Sequence, residues 1–277
     1  MNNLFPLAQK EFTDGIRNRW VLAITLLLTI FALSLVALGS APVGEVKTSP
    51  LAIIIVSLAS LNIFLLPLIA LLLSYDSLVG EIENGTMPLL LVYPLSRSQI
   101  VLGKFIGQWG ILAVATLIAY GITAIAVFFI HRDIGYRWIT WQPFVLMTLS
   151  TIALGGVFLA IGTLLSAIAR QRTQAAGMAI GVWLLFVLVY DLALLGALLL
   201  DKKHWITERM LSWLMWGNPA DAYRLLNIGS GENATVAGML NVGQSMALSP
   251  MWLVISLVIW MVIPVLLTIL IFRKKTP

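Results

Sequence analysis

The stretch Gly80–Lys104, GEIENGTMPLLLVYPLSRSQIVLGK, decides how the chain is read. It separates two long apolar runs, yet it carries Glu81, Glu83, Arg97 and Lys104 around a short greasy core. Asn84-Gly85 is a helix stop, since glycine is the usual residue just past a helix end. Thr86 is placed to cap a following helix, with Pro88 tolerated in its first turn. Met87 to Tyr93, including Leu90, then makes about two turns of nearly pure hydrocarbon before Pro94 ends it. Ser96 with Gln99 is a capping box for the helix beyond. A bare apolar stub flanked by acids and an arginine must sink into headgroups or dock into a groove. Docking on a soluble subunit is the functional reading; an interfacial loop with no partner is the plain one.

Outward from this stretch the chain is hydrocarbon. A bilayer-spanning helix needs about 20 apolar residues. Six runs qualify, beginning near Trp20, Leu51, Phe105, Phe144, Ala175 and Met251. They end near Gly39, Ser74, Ile130, Ile168, Leu200 and Phe272. Each is expected to be helical, because lipid offers no partner for open backbone groups. With 60% hydrophobic and 10% charged residues, no water-soluble surface of ordinary polarity can be assembled. The expected fold is an all-α polytopic membrane protein: residues 1–277 form one membrane domain, with 1–19 an interfacial helix, 75–104 a segment on one face and 201–250 a loop with short helices on the other. The absence of cysteine excludes disulfides, thiolate metal sites and cysteine nucleophiles. The formal charge of +5 reflects basic residues at helix ends, and no basic stripe with interleaved aromatics suggests nucleic acid. The first run is too long for a signal peptide and lacks a small-residue cleavage pattern, so it is expected to stay as an anchor.

Lysine and arginine orient the runs. Ten cluster on one side: Lys10, Arg17, Arg19, Arg97, Lys104, Arg170, Arg172, Arg273, Lys274 and Lys275. The short loops of the other side hold three, and its long loop adds Lys202, Lys203, Arg209 and Arg224. Both termini are therefore expected in the cytoplasm. Tryptophans 138, 141, 205, 213, 216 and 252 suit an outer interfacial belt, with Trp20 and Trp109 at the inner boundary. Leu4, Leu7, Ala8, Phe12 and Ile16 give the opening segment one apolar face, as in a helix lying in the interface. In the long loop, Asn218-Pro219 is an N-cap followed by proline at the first helical position, so a short helix is expected to about Asn227. Further short helices are expected over 206–216 and 236–247, and Trp213, Trp216, Asn218, Pro219, Tyr223 and Arg224 are the candidates for touching an outer partner.

The run E-x-E-x-G-T-x-x-L-L-L-x-x-P-L-S-R-x-x-I-x-x-G-K, from Glu81 to Lys104, resembles the cytoplasmic coupling segment of ABC-2 type export permeases. Lys10-Glu11-Phe12 followed by Arg17 and Arg19 is similar to that family's opening helix, and six spans match its fold. The stretches DGIRNRW from Asp14, YDSLVGE from Tyr75, YPLSRSQIVLGK from Tyr93 and WGNPADAYRL from Trp216 are similar to those of the family's members that serve nitrous oxide reductase maturation. The resemblance implies a bacterial inner-membrane, multi-pass permease subunit, a cytoplasmic ATPase partner, a periplasmic β-helical partner, and a role in assembling the reductase's copper–sulfur cluster. It assigns ATPase coupling to Glu81, Glu83, Gly85, Thr86, Leu90, Pro94 and Arg97. Nucleotide chemistry is absent from the chain itself: Gly103-Lys104-Phe105 lacks the upstream glycine and the hydroxyl of a phosphate cradle. This chain is thus expected to be non-catalytic and to hold no cofactor, with ATP and magnesium on the partner. One coupling segment and six spans make half a transporter, so a second copy of the chain is expected.

Asp191, after Tyr190 in the fifth run, is the strongest single oddity. A mid-bilayer charge costs at least about 2.5–3.5 kcal/mol on insertion scales, so it must face the bundle, a cavity or a dimer seam. It could touch cargo, relay a proton in an ion-coupled transporter, or be a satisfied structural carboxylate. A non-transporting anchor for a periplasmic complex is a further alternative. Met210, Met215, Met239, Met246 and Met251 invite a copper reading, but methionine also packs flexibly, so no metal site is expected. His131 and His204 lie in different outer loops. Small residues in the fourth run (Gly155, Gly156, Ala160, Gly162) and the fifth (Ala175, Gly177, Ala179, Gly181) mark close helix contacts or a rocking seam.

Overall fold

The computed structural model describes residues 4–17, 19–38, 49–88, 96–131, 137–200, 207–229 and 249–274, and every regular element among them is helical. The order is α1 (Leu4–Arg17), α2 (Trp20–Leu38), α3 (Pro50–Ser74), α4 (Val79–Glu83), α5 (Arg97–Ile130), α6 (Trp138–Ile168), α7 (Arg172–Leu184), α8 (Tyr190–Leu200), α9 (Glu208–Gly217), α10 (Pro219–Ile228) and α11 (Pro250–Lys274). A π-helical turn, Leu185–Val189, joins α7 to α8 into one fifth span. Five stretches are long and apolar enough to cross a bilayer, and α2 supplies a sixth with 19 residues of nearly unbroken hydrocarbon. The expected all-α polytopic architecture is the observed one.

The fourth span, α6, is the axis of the bundle. Of its apolar stretch 72% is buried, against 6% for the fifth span. Its small residues let neighbours approach: a methyl at Gly162 would run into the Ser74 hydroxyl of α3. Without a hydrophobic drive between helices in lipid, such close packing is what holds spans together.

The opening helix is more than an interfacial float. Its axis turns 64° into α2, and it lies along the first half of α5. Leu7 and Ala8 are buried there, while Ile16, expected on the same face, is exposed. The seat is Gly107, where a Cβ would stand 2.9 Å from the Ala8 carbonyl oxygen and 2.6 Å from Glu11 Cβ. Gly107→Val should overpack this contact at a cost of about 1–3 kcal/mol. The expected result is release of α1, read as faster tryptic cleavage at Lys10 and Arg17 in detergent.

Trp109 lies well inside α5, stacks on Phe105 at 6.1 Å and donates to the Ile152 carbonyl at 3.0 Å. Trp138 and Trp252 are exposed near the opposite helix ends, as a belt requires.

Candidate functional site

At one end of the bundle, Lys104, Arg172 and Arg97 tie its helices together through direct contacts. Lys104 is 3% exposed, and its ammonium pairs with Glu11 of α1 at 2.9 Å and with Glu81 of α4 at 3.0 Å. Three elements are thus tied to one buried charge. Glu83 pairs with Arg172 at the start of the fifth span: its Oε1 accepts from the Arg172 backbone N–H at 2.9 Å, and its Oε2 lies 3.5 Å from Nε. Arg172 Nη2 also donates to the Gly80 carbonyl at 3.1 Å. Arg97 donates to the Phe272 and Arg273 carbonyls at 3.0 and 3.3 Å, at the end of α11. It satisfies carbonyls that a helix C-terminus leaves open.

The bend after α4 is a Schellman motif. The Thr86 N–H bonds the Glu81 carbonyl at 3.0 Å, the Gly85 N–H bonds the Ile82 carbonyl at 3.1 Å, and Gly85 has φ +67°. Thr86 is turned backwards: its hydroxyl donates to the Glu81 carbonyl and to the Glu81 carboxylate, so it closes α4 where the sequence suggested a cap for the next helix. The start of α4 is capped from outside, by Ser166 of α6, whose hydroxyl accepts from the Leu78 and Val79 N–H groups at 2.9 and 3.0 Å. Met87, first residue of the apolar stub, is buried with Leu7, Ile100, Val101 and Phe272. Beyond the stub, Ser96 and Gln99 form the expected capping box. Leu90 and Pro94 lie outside the described residues.

At the opposite end α9 and α10 form a hairpin sunk into the bundle. Its corner, Gly217-Asn218, meets Phe186, roughly 21 Å along the fifth span from Leu200, and Trp260, about 15 Å into α11. Both positions lie near the middle of their apolar spans. A chain break there survives only if its open backbone groups are satisfied by protein. They are: Tyr190 donates to the Leu214 carbonyl at 2.6 Å, Ser256 to Trp216 at 2.7 Å and Trp260 to Gly217 at 3.1 Å. Asn218 caps α10 by accepting from the Ala220 N–H at 3.0 Å, and its amide donates to the Phe186 carbonyl.

Most of the six residues expected to touch an outer partner are drawn into the bundle by this placement. Asn218, Pro219 and Tyr223 are buried. The Tyr223 hydroxyl is bonded to Asn62 of α3 at 3.1 Å and to Thr151 of α6 at 2.9 Å, and Tyr120 donates to the same Asn62 at 2.5 Å. Trp216 is half-buried and donates to the Trp252 carbonyl. Arg224 faces inward as well: Nη2 lies 2.6 Å from Asp191 and Nη1 2.6 Å from Asp221. Of the six candidates only Trp213 is largely exposed, at 53%. The sequence therefore missed the hairpin's core partners, Asn62, Tyr120, Thr151 and Asp221. It also missed Ser166, Lys104 as a hub, and Arg172. Asp191 was the available signal, because a carboxylate within a span must find a partner inside the bundle.

A family model described as ABC-2 family transporter protein matches residues 5–276. A probable ABC transporter permease protein NosY of Stutzerimonas stutzeri is 44% identical over 276 residues, covering 99% of each chain. A relative of the same description from Pseudomonas aeruginosa is 41% identical over 272 residues, covering 98% of each chain.

Proposed function

The chain belongs to the ABC-2 transporter family as a membrane permease subunit, and from that premise we propose that two copies couple a cytoplasmic ATPase to events on the periplasmic side. The observation that carries this reading is the segment between α3 and α5. It turns at the basic end through a Schellman bend and resumes through a capping box at Ser96, and the apolar run of sequence expected to dock lies between the two, outside the described residues. Its flanks are fastened to α1, the fifth span and α11, so a push on the stub is delivered to several helices at once. By the excess of lysine and arginine, this end and both termini lie in the cytoplasm of a bacterial inner membrane. ATP and magnesium belong to the partner subunit.

The relatives' name, with the resemblance in WGNPADAYRL and YPLSRSQIVLGK, extends the reading to a periplasmic β-helical partner and to copper–sulfur cluster assembly in nitrous oxide reductase.

Purification of the membrane complex in mild detergent tests the reading. An ATPase should co-purify with the chain and be lost when Leu89, Leu90 and Leu91 are replaced by serine, with the permease still in the membrane. Recovery of the intact chain without any ATPase would sink it.

A further inference from the structure

The fifth span differs from the others. It is the least buried, with 6% of its apolar stretch covered, and no residue of α8 is buried. Its inner end is nevertheless gripped firmly. Arg172 holds Glu83 and the Gly80 carbonyl of α4, and Ala175 packs with Val79 and Ala169. Its outer half grips the hairpin. Tyr190 holds the Leu214 carbonyl, Asp191 holds Arg224, and the Phe186 carbonyl receives Asn218. Roughly 28 Å of helix separates Arg172 from Asp191. The outer grip includes the π turn Leu185–Val189, a local departure from α geometry of the kind that often marks functional positions.

Between the two grips, over residues 176–185, Trp183 donates to the Phe64 carbonyl of α3 at 3.0 Å and only Ala179 is buried; a helix so lightly held moves as a rod when one grip is displaced. The coupling segment touches this rod at one end and the hairpin touches it at the other. We propose that the fifth span is a strut that carries displacement of the coupling segment to the α9–α10 hairpin, with Arg172 and Asp191 as the positioning residues at its two grips. This rests on the coupling role proposed above and names the element that delivers the stroke. In this arrangement Glu83 works inward, on Arg172, and Asp191 is the far grip of the strut, held by Arg224. The hairpin corner is the point the strut moves, because Asn218 and the end of α9 are bonded directly to it.

The absence of native cysteine allows a clean test. In the full complex with its ATPase, Met210→Cys, exposed on α9, is labelled with an environment-sensitive fluorophore. Emission is compared without nucleotide and after trapping with ATP and vanadate. The expected result is a nucleotide-dependent shift that falls at least fivefold in Arg172→Ala and in Asp191→Asn. Combining the two should lower it no further, because both interrupt one strut; independent sites this far apart would add. A second variant leaves both grips intact. Leu188→Gly with Val189→Gly softens the span at two exposed positions, and it should also diminish the shift severalfold. A full shift in any of these variants with the ATPase still bound would overturn the strut alone. So would no shift in the parent complex while it hydrolyses ATP. Failure of the ATPase to co-purify with the parent would instead overturn the coupling role beneath it.

Discussion

Arg224→Ala will unfold the outer hairpin. Arg224 neutralises Asp221, whose side chain is 1% exposed, and reaches Asp191 from the same guanidinium. Removing it leaves two carboxylates facing each other in an apolar bundle. Breaking a buried pair by deleting one partner costs about 3–5 kcal/mol, because the remaining charge is uncompensated. A loss of that size is expected in detergent unfolding followed by tryptophan fluorescence, with Trp213 and Trp216 reporting first. Asp191→Asn should cost less, since Arg224 keeps Asp221. The charge argument also predicts a rescue. Arg224→Met combined with Asp191→Leu and Asp221→Asn removes every charge of this cluster, and it should recover most of the stability. If Arg224→Ala were as stable as the parent, the ion cluster would not be what holds α10 in place.

The second large effect is at the basic end. Lys104 is buried more deeply than either of its partners: side-chain exposure is 4% for Lys104, 16% for Glu11 and 27% for Glu81. Removing the lysine leaves carboxylates that water can still reach. Removing the carboxylates strands an ammonium that water cannot reach. Glu11→Gln combined with Glu81→Gln should therefore cost about 3–5 kcal/mol, well beyond either single change. Adding Lys104→Met to that pair should restore most of the loss. The checks are the midpoint of thermal unfolding in detergent and retention of the ATPase. A destabilisation no larger than that of either single variant would show that Lys104 is not the hub joining α1, α4 and α5.

The spans were legible because continuous hydrocarbon in lipid has one regular solution, and the observed ends lie close to those read from composition. Local signals were legible for the same reason. Asn84-Gly85, Ser96 with Gln99, and Asn218-Pro219 each act within a few residues. The destination of α10 was not legible. Asp221, Arg224 and Asn227 make Pro219–Ile228 too polar to be read as buried, and the groups that satisfy them come from distant parts of the chain. Asp191 answers Arg224 across 33 residues, Ser150 answers Asn227 across 77, and Asn62 answers Tyr223 across 161. The same limit hid the roles of Glu81 and Glu83. Their sequence neighbourhood pointed toward a partner, whereas Lys104 and Arg172 draw their carboxylates back into the bundle.

The seat of the opening helix sets an order on biogenesis. Glu11 leaves the ribosome early, but the lysine that receives it is 93 residues further along. Until that part of the nascent chain has entered the translocon and released its helix sideways, the amphipathic leader has only lipid headgroups to rest on. Its apolar stripe, which the finished protein uses partly for packing, first serves as a temporary mooring.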